Sequence, residues 1–154
     1  MSTNRQLDYS LLARQAQALL SGQSHRVANA ANLCALLYQE IPDVNWIGFY
    51  FLEDSALMLG PFQGQPACVE IPLGQGVCGT AAETGLVQRV GNVHDFDGHI
   101  ACDTASESEL VVPLFNNDEL IGVLDLDSSC PDRFTGEDEA GLIEIADIFL
   151  HSIQ

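Results

Sequence analysis

Apolar residues recur at helical spacing from the start of the chain. Leu7, Leu11, Leu12, Ala16, Leu19 and Leu20 form a stripe with the period of an amphipathic helix, and Ser21-Gly22 stops it. A second stripe, Val27, Ala30, Ala31, Cys34, Leu37, Tyr38 and Ile41, predicts a helix from about His25 to Ile41, ended by Pro42. The period then drops to two. NWIGFYFLED reads as a strand, with Trp46, Gly48 and Tyr50 on one face and Ile47, Phe49 and Phe51 on the other. A hairpin through Glu53-Asp54-Ser55 leads to Leu57, Met58 and Leu59, and Ala67 to Ile71 reads as a further strand. Gly74 and Gly76 open a turn before a short helix, Val77 to Glu83, closed by Thr84-Gly85; Leu86 to Val90 returns as a strand. SELVVPLF and LIGVLDLD then flank NNDE as a hairpin. Glu109, Val111, Pro113 and Phe115 share a face of its first strand, and Ile121, Val123, Asp125 and Asp127 a face of its second. Thr135 caps a last helix with Asp138 completing a capping box, and Leu142, Ile145, Ala146, Phe149 and Ile153 form its stripe.

Helices, an antiparallel sheet and a closing helix make an α+β domain, with the N-terminal and C-terminal helices packed on one face of a central antiparallel sheet. No repeat or linker divides residues 1–154, which read as one domain. The hydrophobic share of 47% is too high for a disordered chain. No apolar run is long enough to span a membrane, and the first residues lack the apolar core of a secretory signal, so the expected location is cytoplasmic. Twenty-two Asp and Glu stand against five Arg and no Lys, for a net charge of -17. Such a surface repels phosphate backbones and anionic lipid, which excludes nucleic acid and membrane as partners.

Five cysteines in a cytosolic chain are expected to be reduced at rest, so a disulfide here is transient and catalytic. Cys34 lies on a helical stripe and reads as core; Cys130 is a turn cysteine with no role assigned. The other three lie in or beside Gly-, Pro- and small-residue-rich segments: Cys68 in PAC, Cys78 in GVCG, and Cys102 in GHIACD. Residues 91–107, which also carry His94 and His99, form the longest irregular stretch, and loops of that length in compact domains are usually functional. Cys78 stands at a predicted helix N-terminus, where peptide dipoles favour a thiolate; Asp103 beside Cys102 disfavours one. Two thiols reacting in turn form a redox pair: one becomes a sulfenic acid, the other closes a disulfide, and an external reductant opens it. Zinc held by Cys68, Cys78, Cys102 and His99 is the competing arrangement, but the spacings are wide and contain no CxxC.

Asp125 and Asp127 interrupt an apolar face and point the same way, about 6.7 Å apart along the strand. Glu109, near the start of the partner strand, can lie across from either. Crowded carboxyls raise at least one pKa, which supplies a proton donor, and together they offer a negative site for an ammonium group. Trp46 and Tyr50, about 13 Å apart by strand rise, share the face of an aromatic wall suited to a cation or a methyl-sulfur group.

GVCGTAAETG, NVHDFDGHIACDTASESELVVPL and IGVLDLDS together resemble a GAF domain of one kind, the free methionine-(R)-sulfoxide reductase family, over about Leu7 to Phe149. The resemblance implies reduction of free L-methionine (R)-S-oxide to L-methionine, with thioredoxin as reductant, a homodimer, and no metal or organic cofactor. It implies Cys102 as nucleophile, Cys68 as main resolving cysteine and Cys78 as a third thiol. It implies Glu109, Asp125 and Asp127 as acidic substrate-binding residues and Trp46 and Tyr50 as the aromatic part of the pocket. The rival readings are a GAF module that senses a small ligand without turnover and a metal-binding structural protein.

Overall fold

The computed structural model describes residues 6–98 and 106–154. Six strands form one antiparallel sheet: β1 (Trp46–Glu53), β2 (Ala56–Gln63), β3 (Glu70–Pro72), β4 (Gln88–Val90), β5 (Ser108–Asn116) and β6 (Glu119–Ser128), in the order β3-β2-β1-β6-β5-β4. Helices α1 (Tyr9–Leu20), α2 (Arg26–Glu40) and α4 (Gly136–Ser152) pack together over one face. Helix α3 (Gly76–Thr84) lies against β3, β4, β5 and β6 on the other face.

This division follows from the two-residue period of β1. Ile47, Phe49 and Phe51 enter the helix-covered core with Leu12, Leu33, Leu37, Leu124, Leu126 and Phe149. Trp46 and Tyr50 enter a second cluster with Ile71, Val77, Cys78, Val111 and Val123. Burying a Leu or Phe side chain contributes roughly 1.5–3 kcal/mol, so the first, larger cluster carries most of the stability.

Four expectations change. In α1, Leu12, Ala13, Ala16 and Leu20 are buried, while Leu11 and Leu19 are exposed. In α2, Ala30, Leu33, Cys34 and Leu37 face inward; Val27, Ala31 and Tyr38 face outward. Both helices touch their neighbours along a narrower stripe than the apolar composition suggests. On β6, Leu114 pairs with Gly122 and Phe115 with Leu120. Ile121 is the extra residue of this bulge, so it packs toward the helix-side core rather than sharing a face with Val123, Asp125 and Asp127. The strands around Ile71 and Val90 are also shorter than predicted, at three residues each.

The turns follow local chemistry. Asn117 and Asp118 join β5 to β6 with φ of 51° and 67°, a backbone state that Asn and Asp tolerate well. Gly85 ends α3 in the left-handed region at φ 71°. Thr135 and Asp138 form the expected capping box at the head of α4. Asp138 Oδ1 also accepts from the Tyr9 hydroxyl at 2.6 Å and its Oδ2 from Arg133 Nη1 at 3.0 Å, tying α1 to α4. Cys34 is fully buried on α2, as its place on the stripe predicted; its thiol donates to Pro61 O at 3.4 Å, and burial pushes its pKa up to about 12.

Thr135→Ala removes the acceptor for the Asp138 N–H and is expected to cost about 1 kcal/mol. Thermal denaturation should show a fall in Tm of about 2–4 °C; an unchanged Tm would mean the cap contributes nothing.

Candidate active site

The hairpin register gathers the acids. Glu109 on β5 is directly opposite Asp127 on β6, and Val111 is opposite Asp125. Glu109, Asp125 and Asp127 therefore project from one patch of the α3-side face, at 8%, 5% and 9% exposure. Both Asp125 and Asp127 are buried, beside apolar neighbours.

Cys78 completes the cluster. It is the third residue of α3, and its thiol donates to Glu109 Oε2 at 3.8 Å. The expectation that the helix dipole favours its thiolate is overturned. Burial raises the Cys78 pKa well above the ordinary thiol value, and the charges of Asp125, Glu109 and Asp127 add to the rise. Nor does Cys78 stand in an open loop; it is 4% exposed. Burial likewise raises Glu109 and Asp125, the first with help from the Asp125 charge and the second from that of Asp127. Burial thus favours the protonated forms of Cys78, Glu109 and Asp125.

The aromatic wall is closer than strand rise alone implies. The rings of Trp46 and Tyr50 stack with centroids 5.9 Å apart, because the indole leans over Gly48 toward Tyr50, and Phe62 stacks on its other side at 5.4 Å. A Cβ at position 48 would overlap the Trp46 ring and sit 2.6 Å from Phe62 Cβ, so glycine is required there. The indole N–H donates to Gln65 O at 3.0 Å and the Tyr50 hydroxyl to Cys68 O at 3.0 Å. Both aromatics thereby fasten the segment that carries Cys68.

These groups enclose one cavity of about 540 Å³, open solvent at its mouth included. It is lined by Trp46, Tyr50, Ala67, Cys78, the three acids and Ser106, among others. Ser106 went unnoticed in the sequence; only its place just before β5, beside Glu107 and Ser108, offered a signal. Cys68 is in a disulfide, whereas Cys34, Cys78 and Cys130 are free thiols. A sulfur in a disulfide has no thiolate to give zinc. Cys102, His99 and Asp103 lie outside the described residues. The ligand atoms of Cys78, Glu109 and Asp125 lie within 4.8 Å of one another, near enough to converge on a cation. Their raised pKa values mean that a metal would have to displace protons to bind there. No helix among the described residues is long and apolar enough to cross a membrane.

A six-stranded antiparallel sheet with helices on one face and a pocket on the other is the architecture of a GAF domain, and the GAF domain family model matches residues 11–150. A GAF domain from an Acinetobacter phosphoenolpyruvate-protein phosphotransferase shares the fold at a TM-score of 0.82 with 16% identity, covering 94% of this chain and 92% of that one. The free methionine-R-sulfoxide reductase of Escherichia coli (strain K12) is 56% identical over 137 residues, 89% of this chain and 83% of that protein. The fRMsr of Staphylococcus aureus in complex with its substrate is 47% identical with a TM-score of 0.92, covering 96% of this chain and 97% of that one. Within the GAF domains, this chain belongs to the free methionine-R-sulfoxide reductase family.

The raised carboxyls fix a pH dependence. Their folded pKa lies above the unfolded value, so the folded state keeps protons that the unfolded chain has released. Stability contributed by the protonated cluster is complete below the ordinary carboxyl range and falls as pH rises toward the folded value. Asp125→Asn, neutral throughout, is expected to gain on the wild type in Tm as pH rises above the ordinary carboxyl range, from about pH 4.5. A difference in Tm that stays flat as pH rises above that value would count against a raised carboxyl at Asp125.

Proposed function

We propose that this protein reduces free L-methionine (R)-S-oxide to L-methionine. The observation that carries the reading is the cavity itself: stacked aromatic rings on one side, and on the other three buried carboxyls, of which Glu109 and Asp125 are pushed by burial toward their protonated forms. Such a wall suits the methyl-sulfur end of the substrate, and protonated carboxyls suit a sulfoxide oxygen that must leave carrying a proton. The 56% identity to the Escherichia coli reductase supports the same conclusion.

In this reading Cys102 is the nucleophile. Its thiolate attacks the sulfoxide sulfur, and a pocket carboxyl protonates the oxygen. In sum, Cys102–SH and the sulfoxide become Cys102–SOH and the thioether, and methionine leaves. Cys68–SH then condenses with the sulfenic acid, giving a disulfide and one water. Thioredoxin dithiol reduces that disulfide and is itself oxidised. Two observations support Cys68 as resolver: its sulfur is in a disulfide, and three of the other cysteines are free thiols. The raised pKa of Cys78 gives it the smaller part, a protonated neighbour of the acids and a reserve thiol. Trp46 and Tyr50 hold the methyl-sulfur end, and Glu109, Asp125 and Asp127 bind the oxygen and the α-ammonium. A cytoplasmic homodimer working without metal or organic cofactor completes the proposal.

One assay tests the reaction. With thioredoxin, thioredoxin reductase and NADPH, oxidation of NADPH is expected with the free R diastereomer and not with the S form. Equal rates on both, or none on either, would sink the reading, and tight binding without turnover would favour a ligand-sensing module. Cys102→Ser should form no methionine even in a single turnover. Cys68→Ser should complete that first turnover and fail to recycle with thioredoxin; a Cys102→Ser protein that still makes methionine would show that the nucleophile lies elsewhere.

A further inference from the structure

Three buried carboxyls line the cavity, and no Arg, Lys or His lines it among the described residues. An ammonium group would answer that charge, but the thiol among the acids would gain nothing from it, because sulfur is a weak hydrogen-bond acceptor. Cys78 Sγ lies 3.8 Å from Glu109 Oε2, and the ligand atoms of Cys78, Glu109 and Asp125 all lie within 4.8 Å of one another. A sulfur beside two carboxyl oxygens is a donor set for a borderline-soft divalent cation. Around tetrahedral zinc, a sulfur at about 2.3 Å and an oxygen at about 2.0 Å stand about 3.5 Å apart, so small side-chain movements bring these atoms onto one ion. The set differs from the one that sequence spacing offered: of Cys68, Cys78, Cys102 and His99, only Cys78 takes part.

A second observation marks the same place. Asp125 lines the cavity and is 5% exposed, yet its Oδ1 has no hydrogen-bond partner among the described residues. A buried carboxyl oxygen without a donor is costly, and a cation satisfies it. The three side chains also rise from rigid elements: Cys78 from the first turn of α3, Glu109 from β5 and Asp125 from the neighbouring β6. Ligands held in this way lose little freedom when an ion gathers them.

We propose that Cys78, Glu109 and Asp125 form a zinc-binding site in the wall of this pocket, and that zinc bound there excludes the substrate. The exclusion rests on the reductase reading, whereas the binding does not. As its bonds form, zinc sends the protons of the thiol and the carboxyls to solvent. Burial favours those protons, so the site fills when zinc is plentiful and empties when it is scarce. The ion is thus an inhibitor that comes and goes, with no part in the chemistry of reduction.

A chain carrying Cys68→Ser, Cys102→Ser and Cys130→Ser keeps Cys78 as its one thiol outside the helix-side core, where Cys34 is buried. Cadmium chloride stands in for zinc, because a cadmium–thiolate bond absorbs in the ultraviolet. The band is expected to saturate at one ion per chain and to be removed by added zinc. Cys78→Ser in this background should abolish it. Asp125→Asn, which keeps the thiol, should weaken binding by about tenfold or more, as for loss of a contact to a charged group. No band, a band that survives Cys78→Ser, or an affinity unchanged by Asp125→Asn would each overturn the site; the last two are the marks of adventitious metal on an acidic surface. Free L-methionine (R)-S-oxide, left intact without Cys102, is expected to raise the cadmium concentration at half-saturation. If it does not, although the wild type turns the sulfoxide over, the exclusion is overturned. A band with the expected variant pattern, from a protein whose wild type shows no turnover, would retire the reductase reading and keep the metal site.

Discussion

Glu109 and Asp125 bring carboxyl oxygens within 4.8 Å of each other beside an apolar cluster, and the pocket side of the molecule is arranged around that contact. Two buried carboxyls tolerate each other only if a proton stays between them, since their charged forms would be both desolvated and repelled. Keeping them together requires a rigid support. The β5–β6 pairing supplies it, running without interruption from Ser108–Ser128 to Leu114–Gly122 and placing the irregular pair only near the turn. The helices on the opposite face supply the stability that such a contact consumes. Ile47, Phe49, Leu124 and Leu126 alternate with the site residues on the same strands, so the core and the acids are fixed by one register.

The cysteines differ by environment more than by position in the chain. Cys34 is wrapped in helix-side apolar groups, and Cys78 faces carboxyls; both are held protonated. Cys68 is only partly buried, and its segment is pinned by the Tyr50 hydroxyl on its carbonyl. A thiol that must exchange partners needs access, whereas one that only packs, or only holds a proton, does not. The chain supplies both kinds on the pocket side of the sheet, where Cys68 packs against the cluster that holds Cys78.

Period-two patterning made β1 legible, including which residues face the helices and which face the pocket. The capping box at Thr135 and Asp138 was equally plain, because both partners lie within one turn. Other features depend on contacts between distant residues. Leu11 and Leu19 look like core until neighbouring helices show how narrow their contact is. The bulge at Ile121 depends on how two strands pair, which neither strand encodes alone. For Trp46 and Tyr50, strand rise located the backbone attachments, but the absent side chain at Gly48 decides where the indole lies. Ser106 was invisible for a similar reason: a serine among polar neighbours is ordinary until its hydroxyl proves to be buried, with no partner among the described residues. For Cys78, a local rule about helix ends lost to three carboxyls brought close by the sheet.

The two-faced sheet has a consequence for how such a protein can change over generations. Substitutions at Ile47, Phe49 or Leu124 alter how firmly the fold holds, and those at Trp46, Tyr50 or Asp125 alter what the pocket does. Each trait can therefore drift with little disturbance to the other, and new ligand preferences can arise on an unchanged framework. Insertion or deletion of one residue within β1 or β6 offers no such freedom. It would turn the acids into the greasy layer and the greasy residues into the pocket in a single step. Lineages built on this sheet are expected to explore by exchanging residues along these strands and to vary in length only at their ends.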